Sequence, residues 1–167
     1  SRYGHMLGLL DRDTGRMACG MIYLPATFRL YLAVRGVGAW VQDGWRAPLR
    51  PMPRAEAPRT VEEVKRLTPE DLAALRGLGY RVVSPESASA AYELTRVAEG
   101  TLGAMAMRHF HGHDSAISSV FIEELGGLVL MDGGAPVHYE AEMPRMPLVV
   151  LSLNPAYAQE IAGALGG

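Results

Sequence analysis

The side chains best suited to chemistry lie in one stretch, His109-Phe110-His111-Gly112-His113-Asp114-Ser115-Ala116-Ile117. His109, His111 and His113 alternate at period two, so in an extended segment they would point the same way. With Asp114 beside them they offer nitrogen and oxygen donors of the kind that zinc or another transition metal takes. Gly112 argues against a regular strand through the whole run, which leaves phosphate contact or solvent exposure as the other uses of these imidazoles. Asp114 stands where helical spacing begins, with Ile117, Val120, Phe121 and Leu125 following as an apolar stripe. Two readings of Asp114 follow. It is an N-cap whose carboxylate accepts from unpaired backbone N–H groups, or it caps the helix and also presents its second oxygen to a cation.

The elements that must position this stretch divide the chain into three parts. Residues 1–47 read as antiparallel strands, 48–59 as a loop and 60–167 as an α/β portion, together a single domain or domain fragment. Met6 to Leu10 and Met17 to Leu24 are apolar runs joined by a polar turn, a hairpin pattern, and Leu30 to Val34 and Ala39 to Val41 extend it into a meander. Prolines recur from Pro48 to Pro58, where no period is sustained. Thr60-Val61-Glu62-Glu63 predicts a capped helix start, and Thr68-Pro69-Glu70-Asp71 predicts a second. Tyr80 to Val83 and Leu102 to Met107 read as strands on either side of a helix from Ser87 to Glu99. Leu128 to Met131 and the almost wholly apolar Pro147 to Leu153 are further strands, the latter suited to burial on both faces. Asn154-Pro155 opens a last helix. The fold class expected is α/β, a layered sandwich of sheets and helices that begins with an antiparallel meander.

Several segments taken in order carry a resemblance. Gly20-Met21-Ile22-Tyr23-Leu24-Pro25, Ala33-Val34-Arg35-Gly36-Val37-Gly38-Ala39-Trp40, Ser87-Ala88-Ser89-Ala90-Ala91, Val97-Ala98-Glu99-Gly100, His113-Asp114-Ser115-Ala116 and Glu123-Glu124-Leu125-Gly126-Gly127 follow one another along the chain. Together they resemble the C-terminal half of the inositol monophosphatase family. That resemblance implies a magnesium-dependent phosphomonoesterase in which Asp114 is one of the carboxylates that hold the metal. It also implies that Ser89 and Ala90 open a helix whose N–H groups face phosphate or substrate, close helix packing being the other use of these small residues. The histidine run itself, apart from the resemblance, allows His111 and His113 to lie near a phosphate.

Three departures from the family pattern bear on the substrate. Ala88 stands in place of a glycine at the helix start, Met107 in place of an acid that contacts sugar hydroxyls, and His113 in place of the tryptophan before the aspartate. The family's other metal-binding motifs, a Gly-x-Glu-Glu/Asp type and an Asp-Pro-x-Asp-Gly-Thr, do not occur in the sequence. One carboxylate is a weak site for Mg²⁺, which needs several well-placed oxygens. The expectation is therefore the C-terminal portion of a longer enzyme, in which a small phosphomonoester is hydrolysed: an inositol phosphate or a related sugar or nucleotide phosphate. The reading from a different class is a catalytically inactive descendant that serves as a binding or assembly module. The resemblance further implies a homodimer.

Composition agrees with one sizeable core. The chain has 167 residues, 49% of them hydrophobic and 20% charged. Its net charge of −2 gives no broad basic surface for a nucleic acid polymer. No apolar run has the length of a membrane span, and the single cysteine, Cys19, fits a reducing compartment, so a cytoplasmic location is expected.

Overall fold

Apolar alternation sets up the first sheet, and it is seen in the computed structural model, which describes residues 3–63, 66–142 and 144–166. Strands β1 (His5–Asp11), β2 (Arg16–Leu24), β3 (Arg29–Val34), β4 (Gly38–Asp43) and the two-residue β5 (Arg50–Pro51) lie side by side in chain order. Every neighbouring pair is antiparallel. The sheet is therefore a meander. Ile22, Leu24, Tyr31, Ala33, Ala39 and Val41 form its buried face. On the other face Leu7, Leu9 and Trp45 are 62%, 63% and 74% exposed, so this apolar surface is uncovered by any described residue.

The second sheet is mixed. It contains β6 (Thr60–Glu63), β7 (Arg81–Val83), β8 (Ala104–His111), β9 (Leu128–Met131) and β10 (Arg145–Ser152) in the order β7-β6-β8-β10-β9. The first three strands run parallel, whereas β10 is antiparallel to both β8 and β9. Residues 148–151 of β10 are fully buried on both faces, as the apolar run predicts.

Thr60-Val61-Glu62-Glu63 is a strand and not the helix start that its capping pattern suggests. Val61 pairs with Val82 on one side and Ala104 on the other, and the Thr60 hydroxyl accepts from the Gly103 N–H at 2.9 Å instead of capping a helix. Two ladders made with distant strands outweigh a local cap here. The second pattern does become a helix, α1 (Pro69–Gly77), and the Thr68 and Asp71 side chains each accept from the other's backbone N–H. Asn154 likewise caps α4 (Pro155–Leu165).

Four layers result. Helices α2 (Ala90–Ala98) and α3 (Gly112–Glu124) fill the space between the two sheets, and α1 and α4 cover the far face of the second sheet. Side-chain alternation in β8 serves both interfaces. Met105 and Met107 join the core with α2 and α3, while Ala104 and Ala106 join the core with α1 and α4. Gly20 in β2 lets α3 rest almost on the sheet backbone, since a Cβ there would lie 2.7 Å from the Ile117 carbonyl oxygen. That close approach fixes the height of α3, and with it the residues at its start.

Candidate active site

Two chain segments converge between the sheets: the start of α2 and the β8–α3 junction. Ser89 is the N-cap of α2, and its hydroxyl accepts from the Tyr92 N–H at 3.4 Å. The unpaired N–H groups of such a first turn favour an anion. Ser89, Ala90 and His111 come together on the wall of one cavity of about 190 Å³, which Arg66, His109 and Phe110 also line. His109 carries a positive φ of 49°, and its carbonyl accepts from the Arg66 guanidinium.

Asp114 does not cap α3. The helix begins two residues earlier, at Gly112, with His111 in the cap position and no side chain closing it. Glycine enters the helix without hindrance and donates its N–H to the Pro144 carbonyl, while Ser115 Oγ donates to the Gly112 carbonyl. Asp114 therefore lies in the first turn, where its charge still faces the positive end of the helix. Burial raises its pKa, and the neighbouring His113 and His111 act in the opposite direction. An approaching cation would offset that burial cost.

The three histidines do not form one donor set. His109 and His111 line the same cavity, but Gly112 puts His113 on a helix rather than a strand. His111 and His113 stack, with ring centroids 5.2 Å apart, and His113 Nε2 lies 3.6 Å from Asp114 Oδ1. Neither His113 nor Asp114 lines the cavity that His111 borders. Among the described residues no three histidine, cysteine, aspartate or glutamate side chains converge to hold a metal ion, which removes the basis of the zinc alternative. The same observation bears on magnesium: these residues alone do not make its site, and Asp114 supplies at most one ligand.

A sequence model of the inositol monophosphatase family matches residues 3–164. The chain belongs to the inositol monophosphatase family. No curated protein matches it in sequence. Solved structures of the family share the fold. CysQ from Bacteroides thetaiotaomicron, a bacterial member of the inositol monophosphatase family, is 23% identical with a TM-score of 0.65, over 83% of this chain and 58% of that one. A dual-specific IMPase/NADP phosphatase bound with D-inositol-1-phosphate is 18% identical with a TM-score of 0.68, over 92% of this chain and 58% of that one. A Ca-bound IMPase family protein from Staphylococcus aureus is 18% identical with a TM-score of 0.66, over 90% and 58%. The chain thus spans somewhat under three fifths of the length of these family structures.

Two carboxylates in the wall of this cavity are not among the residues that the sequence pattern singles out. Glu62 of β6 and Glu93 of α2 are 0% and 3% exposed, and both line the cavity. Arg96 Nη1 lies 2.7 Å from Glu93 Oε2 and 3.3 Å from Glu62 Oε1, and Arg96 Nη2 lies 3.0 Å from Glu86 Oε1. Burial, and then a hydrogen bond and charge repulsion from Glu93, push the Glu62 carboxyl up to about 8. The signal was faint. The capping pattern predicts a helix at Glu62, and nothing local marks a strand glutamate as buried.

The sign of the resulting pH dependence is fixed. The unfolded chain releases the Glu62 proton near 4.5, whereas the folded chain holds it to about 8. The contribution is fully present below the lower value and is lost as pH rises through the upper one. Wild type should therefore lose melting temperature between about pH 5 and 8.5, and Glu62→Gln, which cannot ionise, should lose less. Parallel thermal melts across that range check this; superimposable slopes would remove Glu62 as their source.

Proposed function

We propose that this chain is the C-terminal portion of a metal-dependent phosphatase that hydrolyses a small phosphomonoester. The observation that carries the reading is the convergence, in a chain of this family, of the α2 start with His111 on one cavity near the first turn of α3. Ser89 and Ala90 present backbone N–H groups to the phosphate or the substrate, and His111 and His113 are close enough to the same end to assist. Asp114 gives one carboxylate to a divalent-cation site, Mg²⁺ by preference, whose other ligands lie outside these residues. When bound, such a cation screens the phosphate charge and acidifies a water molecule.

Support comes from two further observations. The related structures include one bound with D-inositol-1-phosphate and one bound with calcium. The uncovered apolar outer face of the first sheet agrees with a longer enzyme that covers it. We assign the substrate to the inositol-phosphate class or to related sugar or nucleotide phosphates, the assembly to a homodimer and the location to the cytoplasm. No helix among the described residues is long and apolar enough to cross a membrane.

The second reading is an inactive descendant kept for binding or assembly. The lack of a three-ligand metal cluster among the described residues favours it, as does Met107, which is fully buried and offers no carboxylate where the family pattern has an acid. One experiment divides the two. Phosphate release from D-inositol-1-phosphate and from a sugar phosphate is measured across a Mg²⁺ titration, for this chain and for any longer natural product that intact mass reveals. The expected result is no release by this chain and release by the longer one. Robust release by these residues alone would overturn their incompleteness, and inactivity of the longer protein on every phosphomonoester tried would favour the binding module.

A further inference from the structure

The cavity at the start of α2 is electrically two-ended. Its rim carries Arg66, His109 and His111, all exposed, and its floor is the buried pair Glu62 and Glu93. Phosphate chemistry has no use for that floor. With both carboxyls ionised, Glu62 Oε2 and Glu93 Oε1 are buried and have no hydrogen-bond donor. Among the described residues Arg96 is the only cation paired with either of them, and it is shared with Glu86. Three carboxylates around one guanidinium leave an excess of negative charge in a place that water reaches poorly.

One proton held between Glu62 and Glu93 relieves part of that excess when the cavity is empty, and the hydrogen bond between the two side chains fits this state. A ligand could relieve it better. An alkyl hydroxyl donates once and brings no charge, whereas a primary ammonium donates three times and brings a full positive charge. A bare divalent cation fits less well, because two carboxylates with Arg96 against them fall short of its oxygen shell. The volume, about 190 Å³, admits a short alkylammonium chain between Ala90, Met105 and Phe110.

We propose that this cavity is a receptor for a primary ammonium group, seated on Glu62 and Glu93, and that the phosphomonoester of the reaction proposed above carries a primary amine, for which 2-aminoethyl phosphate is the smallest probe. The phosphate end of this ligand rests on the phosphatase reading; the ammonium end rests on the cavity alone. Binding exchanges one proton for one cation. The ammonium takes the place of the shared proton, which leaves for solvent, and Glu62 becomes a carboxylate. Affinity for the amine therefore rises with pH up to about 8, where Glu62 loses that proton unaided. The charged groups that face the pair are Arg96 and Glu86 on the α2 side and Arg66, His109 and His111 at the rim.

The test uses this chain and four probes. Calorimetry compares 2-aminoethyl phosphate with ethyl phosphate, and NMR titration compares n-propylammonium chloride with 1-propanol. The amine-bearing phosphate should bind about tenfold tighter or better than its amine-free analogue, the range of a charge-assisted hydrogen bond. Its heat should depend on the ionisation enthalpy of the buffer, which reports the released proton. Propylammonium should shift resonances of α2 and β6 where propanol does not. Glu62→Gln and Glu93→Gln should each abolish the amine preference. Should those buried variants fail to fold, Ala88→Leu fills the exposed mouth without touching the carboxylates and should abolish propylammonium binding in a chain with native circular dichroism.

Equal affinity for amine and analogue, no binding of any probe, or a preference that survives these substitutions would overturn the proposal. The phosphatase reading fails separately. Propylammonium carries no phosphate, so its binding stands or falls with the glutamate pair, while ethyl phosphate reports on the rim.

Discussion

In the longer enzyme proposed above, with Asp114 as the proposed cation ligand, exchanging Asp114 for asparagine is expected to lower phosphate release by about a hundredfold or more, with added magnesium restoring only part of it. Asparagine keeps the size of the side chain and one carbonyl acceptor but removes the negative charge that a hard cation requires. Stability moves far less. Asp114 sits in the first turn of α3 and not at its cap, so the variant forfeits a charge–dipole attraction of about 0.3–1 kcal/mol. It also escapes the burial cost that raises the aspartate's pKa, which acts in the opposite direction. A melting temperature within about 3 °C of wild type is the expected companion result, at roughly 2–4 °C per kcal/mol for a chain of this size. The paired measurement is a thermal melt and a phosphate-release assay across a magnesium titration. Unchanged activity would take Asp114 out of the reaction, and a collapse of both quantities would make it a structural residue.

Sequence alone exposed the parts of this architecture that depend on short-range pattern. The strands of the meander alternate because one face is buried, and β10 reads as continuous apolar sequence because both of its faces are. Thr68 and Asn154 cap the helices they precede, since a cap acts within four residues. Thr60 shows the limit. Its local pattern is as good as that of Thr68, but β7 and β8 lie on either side of it, and neither ladder is visible in the segment itself. The apolar stripe predicts Asp114 as the cap of α3, but the helix starts where β8 ends, at Gly112, so Asp114 lies in the first turn. The zinc reading needs a strand that runs through His113, and the helix that begins at Gly112 ends the strand before it. Glu62 and Glu93 were beyond reach. Their meeting joins β6 to α2 over a gap of some thirty residues, and burial of a carboxylate is a property of the packed fold.

The largest loss of stability is expected from adding a single methyl group, in Gly103→Ala. Gly103 lies just before β8, with its N–H donating to Thr60 Oγ1 at 2.9 Å and its carbonyl accepting from Ser152 Oγ at 2.6 Å. Three chain segments are thereby clamped together at the point where β6, β8 and β10 meet. A Cβ built there would lie 1.7 Å from the Pro58 carbonyl oxygen and 2.6 Å from that of Thr60. Both obstacles are backbone, so no side chain can swing aside. The chain must move at residues 58–60, which breaks the Thr60 bond and draws Val61 away from Ala104. Overpacking of this kind costs about 1–3 kcal/mol, and an unpaired buried donor adds roughly 1–3 kcal/mol more. A fall in melting temperature of about 5 °C at the least follows. Gly163→Ala is the control, because that glycine is inside α4 with nothing within 4 Å of a new Cβ, and alanine should stabilise the helix by about 0.5–1 kcal/mol. Urea unfolding of the three proteins gives the comparison. If Gly103→Ala were as stable as wild type, the contact of residues 58–60 with the start of β8 would have to be loose. Glu62 would still be held at the cavity floor by its own pairing with Val83 and Met105, so the result would bear on the 58–60 segment alone.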